Sequence, residues 1–374
     1  MTTRNTVQAW QNEPPAWQGG EVDLVCCEVR QETHDVKSFL FKAENASQFK
    51  FAPGQFITLE LHINGEVINR SYTISSPPTR PHTLSITVKR TIGGVVSNWL
   101  HDNMQVGLKI AAFGPNGEFT TASIQAQKYL FLSAGSGITP LMSMTRTFHE
   151  LAENQDVVFV HSARSVADII FRKELDLIAF NQPNFRTGFI CETISSAEHS
   201  ESVLAGRLNI DGFMQLAPDF KTREIFTCGP APYMAAVRGM LVEAGFDMAH
   251  YHEESFTFDD LPAEIHDDVV AKEAHAEQTD ANSALIAIEF SVEFTKSLTS
   301  ITCAANQFVL DAAKSAGLRL PSACSKGLCG TCKSKLISGQ VDMKHGGGIR
   351  QLEIDQGMIL ICCSKPLTDL VIEK

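Results

Sequence analysis

The sequence predicts a multidomain chain of mixed α/β and β structure: an antiparallel β domain, a parallel α/β domain, then a small β domain carrying a cysteine loop. Three observations predict it. The 374 residues suffice for two or three domains with separate cores. The hydrophobic pattern changes from short alternating runs to continuous apolar runs near residue 123. Near the C-terminus, the stretch CSKGLCGTC (324–332) places three cysteines in a glycine-containing loop.

Residues 1–20 read as a polar lead-in tail without the apolar core that a secretory signal needs. Residues 21–122 alternate apolar and polar positions, as in FITLELHI and LSITVKR, and are punctuated by Pro53-Gly54, Pro77-Pro78 and Gly114-Pro115. Such a pattern predicts an antiparallel barrel or sandwich. Residues 123–256 change texture. YLFLSAG, DVVFVHS, FRTGFICE and REIFTCG read as buried strands, with helical patterns after Leu141 and over PYMAAVRGMLVEAG. Strands alternating with helices predict a parallel sheet. Residues 257–284 hold eight acidic residues and one lysine, which reads as a solvated linker or, in part, a charged surface helix. Residues 285–374 begin with a hairpin (IAIEFSVEF, SITCAANQ) and a helix (VLDAAKSAG) ahead of the cysteine loop.

Composition narrows the function classes. The net charge is −12, from 31 Lys and Arg against 43 Asp and Glu. That balance argues against nucleic acid as a partner, whose binders carry a basic face. No apolar run reaches the ~18 residues of a membrane span. The ten cysteines show no secreted-style spacing. Reduced thiols plus a metal site in the cytoplasm is the expectation.

Cys324, Cys329 and Cys332 follow C-x4-C-x2-C, the spacing of plant-type [2Fe–2S] centres. Three thiolates converging on two irons force the chain to wrap tightly, and Gly327 and Gly330 permit the close approach and positive φ this needs. Cys362 or Cys363 can supply the fourth thiolate. Zinc is the alternative, but it usually takes a second short-spaced Cys or His pair, which is missing here. A zinc-stapled interaction module on an inert carrier would be colourless, whereas flavin and iron–sulfur absorb in the visible.

Other stretches suit nucleotides. In RSYTISSPP, Arg70 can pair with a phosphate, Tyr72 can cover a flavin ring and Thr73 can hydrogen-bond near its reactive nitrogen. GGVVSNWL opens a helix at Gly94, with free N–H groups for a pyrophosphate and Ser97 as an additional donor. GSGITP, between a strand and a helix, offers a phosphate cradle, although Pro140 takes the last glycine place of the dinucleotide fingerprint. CGPAPYM repeats the arrangement at the end of another strand, where α/β sheets place their ligands. A plain strand, a helix cap and a buried small residue at Cys228 are the bland alternatives for these stretches taken singly. The lone histidines His161, His252 and His345 are assigned no ligand role.

In this order, RSYT, GGVVS, GSGITP, CGP and C-x4-C-x2-C resemble the ferredoxin–NAD(P)+ reductase superfamily with a C-terminal ferredoxin domain, over nearly all of residues 21–374. The resemblance implies an FAD-binding β-barrel (21–122), an NAD-binding α/β domain (123–256) and a β-grasp [2Fe–2S] domain (285–374). RSYTISS, SNWLHDN, HSARS with DII, APDF with REIF, HEESF, and CGTCK with GGI look most like reductase components of Rieske oxygenases that demethylate quaternary amines such as glycine betaine. The NADH oxidoreductase of hybrid-cluster protein is similar in RxYTISS, CGPAPYM and the cysteine loop.

Carried over by motif, Arg70, Ser71, Tyr72 and Thr73 would hold the flavin, and Gly94, Val95, Val96 and Ser97 its pyrophosphate. Gly135, Gly137, Ile138, Thr139 and Pro140, with Cys228, Gly229 and Pro230, would frame the nicotinamide nucleotide. Ser162 and Arg164 match the region of the adenosine ribose; no second basic residue follows closely, which favours NADH over NADPH. Glu254 and Phe256 would lie near the flavin, and LICCSKP makes Cys362 the fourth cluster ligand beside Cys324, Cys329 and Cys332. Thr73, Cys228 and Glu254 are the candidate catalytic residues. The resemblance implies electron flow from NADH to FAD to [2Fe–2S] to an acceptor protein. The acidic composition of 257–284 adds the expectation that the last domain swings between flavin and partner.

Overall fold

A computed structural model of the protein describes residues 15–17, 19–195, 200, 202–255, 289–318, 320–322, 327, 330–345, 349 and 351–374. The linker 257–284, Phe256, Cys324 and Cys329 lie outside the described residues.

The antiparallel domain is built from β1 (Glu21–Thr33), β2 (Val36–Ala43), β3 (Phe56–Ile63), β4 (Glu66–Thr73), β5 (Leu84–Lys89) and β6 (Lys109–Asn116), with helix α1 (Val95–Asn103) between the last two. The six strands run in the order β4-β3-β6-β1-β2-β5. An isolated bridge between Ile74, which follows β4, and Ile86 of β5 joins the two ends of that order. The alternation therefore yields a barrel rather than a sandwich. Phe39, Phe41 and Ala43 of β2 are buried while Leu40 and Lys42 between them are not, as periodicity two requires of a half-buried strand.

The parallel domain contains β7 (Lys128–Ala134), α2 (Ile138–Glu150), β8 (Asp156–Ser165), α3 (Arg172–Asn181), β9 (Phe185–Thr193), β10 (Val203–Ala205), α4 (Ile210–Leu216), β11 (Glu224–Gly229), α5 (Ala231–Glu243) and β12 (Tyr251–Ser255). All pairings in its sheet, β10-β9-β8-β7-β11-β12, are parallel. The strands read as continuous apolar runs because both faces are covered. Tyr129, Phe131, Phe159 and Phe226 pack with Ile138 and Leu141 of α2 on one face, while Leu130, Leu132 and Val160 pack with Val237 and Leu241 of α5 on the other. One pin holds the sheet's far end. The fully buried Arg223 guanidinium binds Asp156 and Asp219 and the carbonyl of Tyr129.

Helix α2 also braces the barrel. Ser143 donates to Ser76 O at 2.7 Å, and the buried Arg146 donates to Ser75 O at 2.6 Å while pairing with Glu174. The strand that ends in RSYT and the helix that follows GSGITP are thus fastened together just beyond their motifs.

The C-terminal domain comprises β13 (Glu289–Phe294), β14 (Thr299–Ala304), α6 (Val309–Ser315), β15 (Lys333–Ser338), β16 (Val341–Met343), α7 (Gln351–Asp355), β17 (Met358–Leu360), β18 (Ser364–Pro366) and β19 (Leu370–Glu373). Its main sheet runs β14-β13-β19-β15-β17, with the C-terminal β19 inserted parallel to β13. Val292, Phe294, Leu310, Leu360, Leu370 and Ile372 form a core that also contains Cys332 and Cys362. By contacts the chain falls into two compact units, residues 1–59 with 72–260 and residues 60–71 with 261–374. Among the described residues no helix is long and apolar enough to cross a membrane.

Candidate functional site

Thr73 ends β4 and is buried, and its Oγ1 has no hydrogen-bond partner among the described residues. A buried orphan hydroxyl costs ~1–3 kcal/mol unless something else satisfies it, so the donor fits a bound ring with a hydrogen-bonding edge. Arg70, Ser71 and Tyr72 precede it on the same strand and are half-buried. In α1 no side chain caps Gly94, which leaves first-turn N–H groups, Val95 and Val96 among them, turned outward with the positive end of the helix dipole. That donor set suits a pyrophosphate. Ser97 serves the turn itself: its Oγ accepts from Thr91 N at 3.1 Å and faces Gly94 O at 3.4 Å. It shapes the cradle more than it lines it.

In the parallel sheet, the turns after β7 and β11 meet. A Cβ on Gly137 would stand 2.3 Å from Cys228 O and 2.6 Å from Gly229 N. Only a glycine lets the two backbones touch, and the N-terminus of α2 opens at that junction without a capping side chain. Thr139 donates to Ser136 O at 3.1 Å, fixing the turn between Gly135 and the Ile138–Pro140 start of the helix. Pro230 caps α5.

Register places Cys228 opposite Glu254 on β12. Burial pushes the Cys228 thiol well up, and the neighbouring Glu254 adds to it, so sulfur keeps its proton at neutral pH. Burial likewise raises the Glu254 carboxyl to about 8, and its Oε2 has no partner among the described residues. Two protonated, uncharged groups therefore stand side by side at the carboxyl edge of the sheet, where α/β folds place their ligands. Because the folded carboxyl holds its proton up to about 8 and the unfolded one only to 4.5, its contribution to stability is full below 4.5 and is lost as pH rises through about 8. Glu254→Gln is expected to flatten that slope, which thermal melts across the window will read. The ceiling is ~1.4 kcal/mol per pH unit, lowered by the side chain's partial exposure.

Ser162 and Arg164 sit at the end of β8. Ser162 Oγ is buried, facing the Tyr233 hydroxyl. Arg164 Nη2 binds Asp35 at 3.0 Å and Asp168 at 3.1 Å, and Ser165 holds Asp168 in turn. Sequence reasoning gave no part to Tyr233, whose ring packs 2.8 Å from where a Gly229 Cβ would be. Its place in the first turn of α5, four residues after Gly229, was the available signal. It also gave none to His161, fully buried and bonded through Nδ1 to Ser133 at 2.7 Å, whose burial lowers it to about 3. That imidazole is a neutral core residue.

In the C-terminal domain Cys332 and Cys362 are both buried, 2% and 3% exposed. Gly327, at φ +69°, donates its N–H to Cys362 Sγ at 3.3 Å. A buried sulfur accepting a loop N–H suits an anionic thiolate ligand of an iron–sulfur centre.

The comparisons with known proteins agree with this anatomy. The oxidoreductase FAD-binding domain family matches residues 23–121, the oxidoreductase NAD-binding domain family residues 131–239, and the 2Fe-2S iron-sulfur cluster binding domain family residues 293–367. The chain is 46% identical over 357 residues to the glycine betaine monooxygenase reductase subunit of Pseudomonas aeruginosa, covering 96% of each chain. It is 38% identical over 375 residues to the stachydrine N-demethylase reductase subunit of Rhizobium meliloti, covering 100% of each. In fold it is similar to phthalate dioxygenase reductase, with a TM-score of 0.54 at 22% identity over 95% of this chain and 98% of that one. The chain belongs to the family of FAD- and 2Fe-2S-containing oxidoreductases that includes the glycine betaine monooxygenase reductase subunits.

Proposed function

We propose that this protein is the NADH-dependent reductase component of a Rieske-type oxygenase that demethylates a quaternary ammonium compound of the betaine class, working in the cytoplasm. The observation that carries it is whole-length likeness to two reductase subunits, one of a glycine betaine monooxygenase and one of a stachydrine N-demethylase by name. Both substrates are quaternary amines bearing a carboxylate.

Bound FAD would supply the change from two-electron to one-electron chemistry that separates NADH from a [2Fe–2S] centre. This chain's residues supply binding and orientation. Thr73 would donate to the flavin edge, Tyr72 cover its ring, and Arg70, Ser71 and the 94–97 turn hold its phosphates. Gly135, Gly137 and the 138–140 helix start, with Cys228–Pro230, would bring the nicotinamide nucleotide to the carboxyl edge of the parallel sheet. Cys228 and Glu254, both holding their protons at neutral pH, would keep that edge uncharged and suited to an apolar ring. Ser162 would meet the adenosine ribose. Arg164 is engaged by Asp35 and Asp168 rather than held ready for a 2′-phosphate, which favours NADH. Cys324, Cys329, Cys332 and Cys362 would ligate the cluster.

The deciding test mixes the protein and NADH with its organism's candidate Rieske oxygenase and follows formaldehyde from glycine betaine and stachydrine. Formaldehyde that requires all components is expected. NADH oxidation without formaldehyde from either betaine, despite an active oxygenase, would overturn the substrate class and leave the reductase chemistry standing.

A further inference from the structure

Cys363 follows the proposed ligand directly and has no counterpart in the ligand spacing, so on sequence it reads as a buried bystander. Its surroundings say otherwise. The turn 360–364 that presents Cys362 is tied down at one carbonyl. Leu360 O receives Cys363 N at 3.1 Å, Ser364 Oγ at 2.8 Å and Cys363 Sγ at 3.5 Å. The flanking carbonyls are also taken, Ile361 O by Leu310 N at 3.0 Å and Cys363 O by Lys344 N at 3.1 Å. With the turn fixed, the Cys363 sulfur has a defined place, and Gly327 rests on it. A Cβ on Gly327 would lie 2.6 Å from Cys363 Sγ and 3.0 Å from the Cα of His345.

The same glycine donates its N–H to Cys362 Sγ at 3.3 Å. One residue of the cysteine loop thus touches both sulfurs: it packs on one and hydrogen-bonds the other. We infer that Cys363 is a positioning residue for the iron–sulfur centre, a spacer whose sulfur sets how the Gly327 N–H meets the Cys362 sulfur. Hydrogen bonds to cluster sulfurs favour the reduced, more negative state, so the spacing acts on the reduction potential. The inference rests on Cys362 being a cluster ligand.

The experiment compares Cys363→Ala, Cys363→Val and Cys362→Ala in the full-length protein, reading iron content, the EPR spectrum of the reduced cluster, and its midpoint potential by dye-mediated titration. Cys363→Ala removes the spacer and lets the loop sink, so the N–H···S contact loosens. Full iron is expected, with altered g-values and a reduction equilibrium about tenfold less favourable, equivalent to ~59 mV for one electron. Cys363→Val keeps an atom at the sulfur's position and is expected to return the potential towards the parent value. A parental spectrum and potential in Cys363→Ala, with only the melting temperature lowered, would show a plain core residue and overturn the inference. Loss of iron in both Cys363 variants would overturn it in favour of a ligand role. A full cluster in Cys362→Ala would sink the ligand reading itself, and this inference with it.

Discussion

Cys362→Ala is expected to abolish the visible absorption and EPR signal of the cluster and to cut NADH-driven reduction of a one-electron acceptor protein by at least ~100-fold. Removing even an outer-shell partner of a metal site costs ~10–100-fold, and a ligand in a four-thiolate centre costs more. Cys362 sits in a closed setting, 3% exposed, in the same core as Leu310, Leu360 and Cys332. Flavin content and NADH-driven reduction of ferricyanide are expected to stay near the parent values, because the nicotinamide and flavin motifs belong to other domains of the chain. Iron retained at the parental ratio in Cys362→Ala would contradict the assignment. Parallel loss of flavin would mean that the variant had failed to fold rather than lost a ligand.

How much of this was legible in the sequence depended on whether the signal was local. The barrel, the parallel sheet and the hairpin–helix start of the last domain follow from periodicity, which a strand of period two or a doubly covered strand writes directly into its residues. YLFLSAG became β7, and REIFTCG became β11, within a residue or two of their apolar runs. Barrel against sandwich stayed open, because closure rests on one bridge between Ile74 and Ile86, residues that no local pattern pairs. The site divided the same way. Thr73, Gly137 and Cys362 lie in motifs whose residue types have a chemical reason. Asp35 beside Arg164 does not: it comes from the β1–β2 turn, 129 positions away, and only the packing of two domains brings it there. Tyr233 and Cys363 were visible as letters but not as contacts, since what matters is the glycine each one packs against. The Ser97 hydroxyl, expected to reach outward as a donor, is turned into its own loop by Thr91.

Gly137→Val puts the parallel domain to a harsher test than any polar substitution, because the clash is with backbone. Gly137 has φ −62°, so a side chain there meets no torsional penalty and the effect reports space alone. The new Cβ would fall 2.3 Å from Cys228 O, 2.5 Å from its carbonyl carbon and 2.6 Å from Gly229 N. None of these atoms is the free end of a side chain that can swing aside, and the Gly229 turn is itself crowded, since a Cβ there would meet Tyr233 at 2.8 Å and Ala134 at 3.2 Å. The two turns must therefore part by about 1 Å, an overpacking that costs ~1–3 kcal/mol of stability. A misplacement of that size at a substrate-positioning loop costs about 100-fold in rate. The expected result is a protein that keeps its flavin and its cluster, is reduced by dithionite as readily as the parent, and shows a ~100-fold lower kcat/KM for NADH. Rapid-mixing spectroscopy of flavin bleaching separates that outcome from a general loss of fold. Parental NADH kinetics in Gly137→Val would mean that the junction of the GSGITP and CGP turns does not position the nucleotide, and the binding reading of both turns would fall together.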